Sequence, residues 1–199
     1  MSQHRPHPEG TPDSNPHPLT HTPTPLAAPF LGNLIEICIV TPSATRTMDG
    51  LLALGIGPFR VFNFTPASVS NQTIHGAPAP FALRVCFATQ GSLTWEIMEP
   101  VSGPSLMAEF VAAKGEGVHH VAFDCAEGRE RTVEERVAEF ERRGFACVMS
   151  GDWRGERGVC RFRFFDTEGS AATCFETYEF SEDWVEPGDV EVYPPLEGV

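Results

Sequence analysis

Positive charge is scarce in this 199-residue chain, which has 14 basic residues against 27 acidic ones and a single lysine, Lys114. The formal net charge is −13 at pH 7. A surface of that sign repels nucleic acids and anionic membranes, so we expect neither as a partner. The same charge counts against a large phosphorylated ligand unless arginines cluster where it binds.

The chain also lacks the patterns typical of secreted and membrane proteins. Its six cysteines contain no CxxC pair, and most of them lie in apolar runs. This favours buried, reduced thiols in a cytoplasmic protein over a disulfide framework. No apolar run reaches transmembrane length, and the first residues have no charged start followed by an apolar segment, so we expect no secretory signal.

Histidine is rare too, and four of the seven histidines fall within residues 1–29, together with eight of the 18 prolines. Proline removes backbone donors, and this segment has too little apolar surface for a core. The composition of residues 1–29 therefore predicts a disordered tail rich in proline and histidine. Only His75, His119 and His120 remain for a folded domain.

The order of apolar and amphipathic segments predicts one α+β domain over residues 30–180. Strand, helix and three strands occur twice, at about 34–99 and 117–178, which gives paired βαβββ modules. Residues 65–80 are rich in Pro, Ser, Asn and Gly and predict a long loop. Residues 181–199 are acidic, contain proline and predict a C-terminal tail, with Trp184 and Tyr193 as candidate anchors onto the domain.

Ionisable side chains interrupt three apolar strands at comparable places, namely Glu36, Glu96 and Glu176. A charge in such a strand is costly to bury unless it is paired or binds a metal. For each carboxylate alone, the alternative is an outward position on a half-exposed strand. Because these are the first and last strands of the modules, all three side chains could converge on the floor of a cup.

The hairpin around residues 90–91 predicts which side chains share the face of Glu96. A turn centred there places Glu96 opposite Val85, with Phe87 on the same face. A fourth apolar strand carries His119 and His120. Adjacent side chains of a strand point to opposite faces, so we expect these two histidines to have different roles.

Three local sequences resemble the vicinal oxygen chelate superfamily, which includes glyoxalase I, bleomycin-resistance proteins, extradiol dioxygenases and methylmalonyl-CoA epimerase. They are WEIMEP at 95–100, GPSLMAEF at 103–110 and GEGVHHVAF at 115–123. The likeness covers about residues 33–178 and is nearest to the epimerase-like branch. It implies a cup-shaped, mostly antiparallel sheet built from the paired modules, and often a homodimer formed through the sheets.

The resemblance also implies a site. In this superfamily, one side chain from each of four strands binds a divalent cation, and the matching positions here are Glu36, Glu96, His120 and Glu176. His120 is chosen because it begins the family's pattern of histidine, apolar and small residue, which leaves His119 facing the other way. Three carboxylates and one imidazole suit Mg, Mn, Co, Ni or Zn. Epimerase-like members usually have histidine where Glu36 stands, so the alternative is a lost metal and an acid/base role for Glu36.

The implied chemistry is proton abstraction next to a carbonyl group, through an enolate, with Glu176 and Glu36 as acid/base groups. The reaction class is that of an isomerase, an epimerase or a related lyase. The expected substrate is an apolar or aromatic carbonyl compound rather than an acyl-CoA. Iron dioxygenases of the superfamily need two histidines and one carboxylate, which these positions do not supply. Two alternatives are a non-catalytic binding protein of the bleomycin-resistance type and a metal-free acid/base tailoring enzyme.

Overall fold

The structure is a computed structural model that describes residues 27–126, 131–188 and 190–195. The predicted N-terminal tail therefore lies almost entirely outside the described residues. Its last residues, 27–29, are exposed and have no regular secondary structure.

The described elements follow the predicted module order. The first module contains β1 (Leu34–Val40), α1 (Ala44–Ala53), β2 (Phe59–Phe64), β3 (Val69–Ile74), β4 (Ala77–Pro78), β5 (Ala82–Gln90) and β6 (Leu93–Ser102). Helix α2 (Leu106–Lys114) connects it to the second module. That module contains β7 (Gly117–Phe123), α3 (Val133–Arg142), β8 (Cys147–Arg154), β9 (Val159–Phe165), α4 (Glu168–Ala171) and β10 (Cys174–Phe180), and β11 (Glu191–Tyr193) follows it.

All described strands belong to one open sheet, in the order β11-β2-β5-β6-β1-β7-β10-β9-β8-β3-β4. The modules join where β1 pairs with β7 in antiparallel orientation. Strand β1 is parallel to β6, and β7 is parallel to β10, whereas the other pairs of described strands are antiparallel. The predicted α+β class and mostly antiparallel, cup-shaped sheet of paired modules are confirmed.

The predicted long loop at 65–80 is wrong, because it contains β3 and β4. Strand β3 pairs with β8, so that Val69 lies opposite Trp153 and Ile74 opposite Met149. A segment of the first module therefore extends the second one. Its sequence is mostly polar, with a shift in pairing between Ser70 and Thr73, so no regular alternation marks it as a strand. Its hydrogen bonds go to a strand far along the chain, which local composition does not encode.

Helices α1 and α3 cover the outer face of the sheet, and α2 packs on the inner side. Met48 of α1 and Phe140 of α3 are fully buried against the strands. The predicted capping box is present at the start of α3, where the Thr132 hydroxyl accepts from the backbone N–H of Glu135 and the Glu135 carboxylate accepts from that of Thr132. From α2, Met107 joins the inner core.

Part of the segment predicted as an acidic tail lies against the domain. Strand β11 pairs with β2 and covers one edge of the sheet. Upstream of it, the Trp184 ring packs 5.1 Å from the ring of Trp153 and 5.1 Å from that of Phe180. The Tyr193 hydroxyl donates a hydrogen bond of 2.6 Å to Asp49 Oδ1. This segment therefore contributes to the wall of the cup.

The sequence also predicts reduced thiols and no transmembrane segment. All six cysteines are unpaired thiols, and five of them are buried. Within the described ranges, no helix is both long and apolar enough to cross a membrane.

Candidate active site

Two rows of side chains cross the four central strands, β6, β1, β7 and β10, on the inner face. Cross-strand pairing gives one row as Thr94, Glu36, Ala122 and Glu176. It gives the adjacent row as Glu96, Cys38, His120 and Cys174. Side chains two residues apart along a strand share a face, so the two rows form one patch.

The patch brings together all four residues that the sequence predicts as metal ligands. One ligand atom from each of Glu36, Glu96, His120 and Glu176 lies within 4.8 Å of the others. Each of these residues is at most 3% exposed. The alternative of outward-facing carboxylates on half-exposed strands therefore does not hold for any of them.

A β-bulge precedes the site residue on each of the two innermost strands. The pairing of β1 with β7 skips Ile35, immediately before Glu36. It skips His119 in the same way, immediately before His120. A bulge leaves the extra residue unpaired and turns its side chain away from strict alternation.

The expectation that the adjacent histidines point to opposite faces is wrong for this reason. The bulge brings the two Nδ1 atoms of His119 and His120 to 2.9 Å from each other, with the rings nearly perpendicular. His119 is buried, and its ring packs edge-on against Phe110 of α2. Burial, followed by the nearby charges of His120 and Lys114, lowers the pKa of His119 to about 3.

Two neighbouring carboxylates favour the cationic form of His120. Its Nε2 lies 2.9 Å from Glu96 Oε2 in a hydrogen bond and 3.2 Å from Glu176 Oε2. Burial alone would lower the pKa of this imidazole, but the Glu176 and Glu96 carboxylates outweigh it and raise the pKa to about 9. His120 therefore offsets one of the three buried negative charges around it.

Glu36 and Glu176 flank Ala122 in the same row. Burial, then repulsion from Glu96 and Glu176, raises the pKa of Glu36 well above its ordinary value. Burial also raises the pKa of Glu176, although His120 opposes that shift. Glu36 and Glu176 are close enough for one carboxyl to donate a hydrogen bond to the other. The pair can thus hold a proton that is available for chemistry.

One oxygen of Glu176 indicates that a cation would fit among the four side chains. Glu176 Oε2 is buried and has no hydrogen-bond partner among the described residues, because its contact with His120 lacks hydrogen-bond geometry. A buried carboxylate oxygen without a donor is costly. A divalent cation would satisfy it, and the donors of Glu36, Glu96, His120 and Glu176 fit Mg, Mn, Co, Ni or Zn.

Cys38 is a neighbour of the site that the sequence did not single out. Its sulfur, a Glu96 oxygen and a His120 nitrogen lie within 4.8 Å of one another. Burial and then the Glu96 carboxylate raise the pKa of this thiol, so it stays protonated. The signal for it was its position two residues after Glu36, on the same face of β1.

A cavity of about 190 Å³ lies over the carboxylates. Six of its lining residues are aromatic: Phe64, Phe87, Trp153, Phe162, Tyr178 and Phe180. The predicted face is confirmed, because Phe87 and Glu96 both line this space. The predicted register is wrong by two residues, since Glu96 lies opposite Phe87 rather than Val85. The turn is centred on Gly91 and Ser92, one residue further along the chain than expected, which shifts the pairing by two residues without changing the face.

Charged groups also line this cavity, away from the carboxylate cluster. Arg60 of β2 forms an ion pair with Glu186, and both side chains are partly exposed. Arg60 is the one basic side chain among the described residues that line the cavity. Sequence reasoning missed this pair, because Glu186 belongs to the segment interpreted as a tail.

The fold and the site define a class of protein. Paired βαβββ modules form a cup, and four inner strands each contribute one ionisable side chain to its floor. The sequence profile of the Glyoxalase/Bleomycin resistance protein/Dioxygenase superfamily matches residues 36–164. The chain belongs to this superfamily, also called the vicinal oxygen chelate superfamily, which confirms the resemblance seen in the sequence.

Solved structures with the same fold include methylmalonyl-CoA epimerases. The Mycobacterium tuberculosis enzyme is 16% identical, with 78% of this chain and 93% of that chain covered and a TM-score of 0.52. A Streptomyces coelicolor variant in complex with 2-nitronate-propionyl-CoA is 20% identical, with 78% and 99% covered and a TM-score of 0.52. A hypothetical protein from Bacillus halodurans is 20% identical, with 77% and 98% covered and a TM-score of 0.51. The comparison with curated proteins gives no match.

Proposed function

We propose that the protein is an isomerase or epimerase, or a related lyase, that acts on an apolar or aromatic carbonyl compound through an enolate. One observation carries this proposal. Two adjacent buried carboxyl groups with raised pKa values, Glu36 and Glu176, lie at the floor of an aromatic cavity. A carboxyl group whose pKa is raised towards neutrality can both take and return a proton under physiological conditions.

Glu176 is the proposed base. Its ionised carboxylate takes the proton from the carbon next to the substrate carbonyl, and the electrons of that C–H bond pass into the enolate. Glu36, protonated at the start, returns a proton to the same carbon. Because the two carboxyls are adjacent, the enolate must turn over before this proton arrives for the configuration to be inverted, and the proton balance then closes. Transfer between the two adjacent carboxyls then restores the starting state.

Glu96 and His120 are proposed to position the reacting groups. Together with Glu36 and Glu176 they would hold a divalent metal ion. When bound, such an ion polarises a carbonyl oxygen and stabilises the negative charge that develops there. In the metal-free protein, the cationic form of His120 would instead offset part of the carboxylate charge, which keeps a negative substrate intermediate tolerable at this floor.

The cavity wall supports an aromatic or otherwise apolar substrate. Aromatic rings surround the space above the carboxylates, and their edges and faces suit a flat ligand. The epimerase structures described above include a complex with 2-nitronate-propionyl-CoA. Here the net charge of −13 and a single basic residue along the described cavity wall disfavour the CoA phosphates. Tight calorimetric binding of a CoA thioester would contradict this choice of substrate without touching the acid/base proposal.

Solvent deuterium exchange tests the chemistry without knowledge of the natural substrate. Aryl ketones and aryl-substituted keto acids with an exchangeable C–H bond are incubated with the protein in D₂O and followed by NMR. We expect exchange at the carbon next to the carbonyl with the unmodified protein and not with Glu176→Gln. Exchange at the same rate with Glu176→Gln would exclude Glu176 as the base.

Metal analysis of protein purified without a histidine tag tests the cofactor. A stoichiometric divalent ion would support the metal-assisted reaction. Protein without metal that still catalyses exchange would indicate a metal-free acid/base tailoring enzyme. The tag must be absent, because the N-terminal segment already carries four histidines.

A non-catalytic binding protein of the bleomycin-resistance type is the second candidate. The observation that favours it is the aromatic lining, which could retain a flat ligand without chemistry. Micromolar binding of aromatic compounds without any deuterium exchange would support this alternative. For either function, we propose a cytoplasmic protein, in keeping with six unpaired thiols, and a homodimer, which gel filtration with light scattering can test.

A further inference from the structure

His119 has no part in the proposed chemistry, yet it lies beside the site and is only 3% exposed. The bulge in β7 brings it there, since the strand pairing skips this residue and its ring turns towards His120. A histidine needed only for packing would not require a polar contact. This one contacts the sole imidazole of the four-residue group.

The contact between the rings restricts the positions of the protons. Two Nδ1 atoms 2.9 Å apart form a hydrogen bond only if one carries a proton and the other presents a lone pair. Aromatic neighbours keep both rings in place. The His119 ring lies 5.0 Å from Phe110, and the His120 ring lies 4.8 Å from Phe164, both edge-on.

The surroundings of His120 decide which ring donates. Its Nε2 faces the oxygens of Glu96 and Glu176, at 2.9 and 3.2 Å. If a cation binds there through Nε2, the ring proton must be on Nδ1. If no cation is bound, the carboxylate oxygens at Nε2 and the lone pair of His119 Nδ1 give each ring nitrogen of His120 an acceptor. In both states the Nδ1–H of His120 points at His119 Nδ1.

We propose that His119 is a positioning residue, which accepts the Nδ1–H of His120 and thereby presents His120 Nε2 to the three carboxylates. Metal-binding histidines commonly donate their second N–H to an acceptor that fixes tautomer and ring orientation. That acceptor is often a carboxylate. A neutral imidazole does the same without adding a fourth negative charge to Glu36, Glu96 and Glu176. The inference rests on the proposed function only in that His120 serves the same site.

Two substitutions of similar size test the acceptor. In His119→Asn, the side-chain oxygen can take the place of Nδ1, whereas His119→Leu has no acceptor. Zn²⁺ affinity of the full chain is measured by competition with a chelator. We expect His119→Leu to bind Zn²⁺ about 10–100-fold more weakly than the unmodified protein. His119→Asn should stay within a few-fold of it. Equal losses in both variants, or no loss in either, would overturn the proposal.

A second measurement depends on neither metal nor turnover. Protein labelled with ¹⁵N-histidine is examined by long-range NMR correlation, with the His119→Asn spectrum used for assignment. We expect His119 as the Nε2–H tautomer and a scalar coupling across the bond from His120 Nδ1–H. A proton on His119 Nδ1 would overturn the inference. Should the protein bind no Zn²⁺ and catalyse no exchange, this spectrum still decides the role of His119.

Discussion

The two modules differ in the ionisable residue that their first strands, β1 and β7, place at the floor of the cup. Each of these strands brings one ionisable side chain to the floor of the cup, directly after a bulge. In the first module the residue is Glu36, preceded by the apolar Ile35. In the second it is His120, preceded by His119. The final strands of the modules, in contrast, carry the same residue type, Glu96 and Glu176.

The difference shows two ways to bury a titratable group. Among the described residues Glu36 forms no ion pair, and burial, followed by repulsion from Glu96 and Glu176, raises its pKa well above the ordinary value. His120 has two carboxylates at one nitrogen and an imidazole at the other, so it stays charged. A carboxyl with a raised pKa, such as Glu36, can exchange its proton and suits catalysis. An imidazole with contacts at both nitrogens, such as His120, suits the positioning of other groups.

Substitution of Glu176 or Glu96, which occupy the last strands of the two modules, should give the largest effect on the rate of deuterium exchange. We expect Glu176→Gln to slow deuterium exchange by about 10²–10⁴-fold, the usual contribution of a general base. Glu96→Gln keeps the proposed base and should slow it less. Exchange rates from NMR, with circular dichroism as the control for folding, test this order. Equal losses in the two variants would mean that the modules contribute equally to proton transfer.

The pH dependence of stability should report His120 in protein treated with EDTA. The pKa of His120 rises from 6.5 to about 9 on folding. The folded state therefore binds the proton more tightly, and its stabilisation is complete below pH 6.5 and lost as the pH rises to about 9. The full effect is about 3 kcal/mol of unfolding free energy. Urea unfolding at several pH values measures it, and His120→Gln should remove most of the slope. An unchanged slope in that variant would refute the assignment.

The buried Glu36 carboxyl should lower the stability of the folded protein at neutral pH. Its raised pKa means that, above the ordinary value of 4.5, the unfolded chain releases a proton that the folded one retains. Stability is therefore lost as the pH rises above 4.5. Glu36→Gln, which keeps a donor for Glu176, should stabilise the metal-free protein at pH 7 by about 1–4 kcal/mol. The gain should nearly vanish at pH 4. A loss of stability at pH 7 would show that the Glu36 charge is compensated.

The smallest effect is expected outside both modules. Glu186→Gln removes the partly exposed ion pair with Arg60 and should change the unfolding free energy by at most about 1 kcal/mol. Deuterium exchange should remain as in the unmodified protein. Chemical denaturation and the exchange assay test both expectations. A large loss of deuterium exchange would mean that Arg60 and Glu186 take part in substrate binding or catalysis.

Much of the fold follows from local sequence. The apolar runs give the strands of both modules, and Thr132 with Glu135 gives the start of α3. Alternation and hairpin parity placed Glu96 with Phe87 on the inner face, although the exact partner was off by two residues. Parity tolerates such a shift, because a slip of two residues keeps every side chain on its face.

The missed features share one property, which is that each depends on contacts distant in the chain. Strand β3 pairs with β8, and Glu186 reaches Arg60 across the cavity. The bulge at His119 arises from how β7 meets β1. Such pairings exist only once the sheet has formed, so no window of sequence around these residues contains them.

The sequence by itself predicted which residues the candidate site contains, because an isolated charge in an apolar strand and a family motif single out Glu36, Glu96, His120 and Glu176 one strand at a time. The tertiary structure decided their charge states. Burial and mutual distance raise the pKa of the Glu36 carboxyl, which favours its protonated form, and the nearby carboxylates raise the pKa of the His120 imidazole, which favours its cation. These are properties of a shared low-dielectric environment, and a linear chain does not have one until it folds.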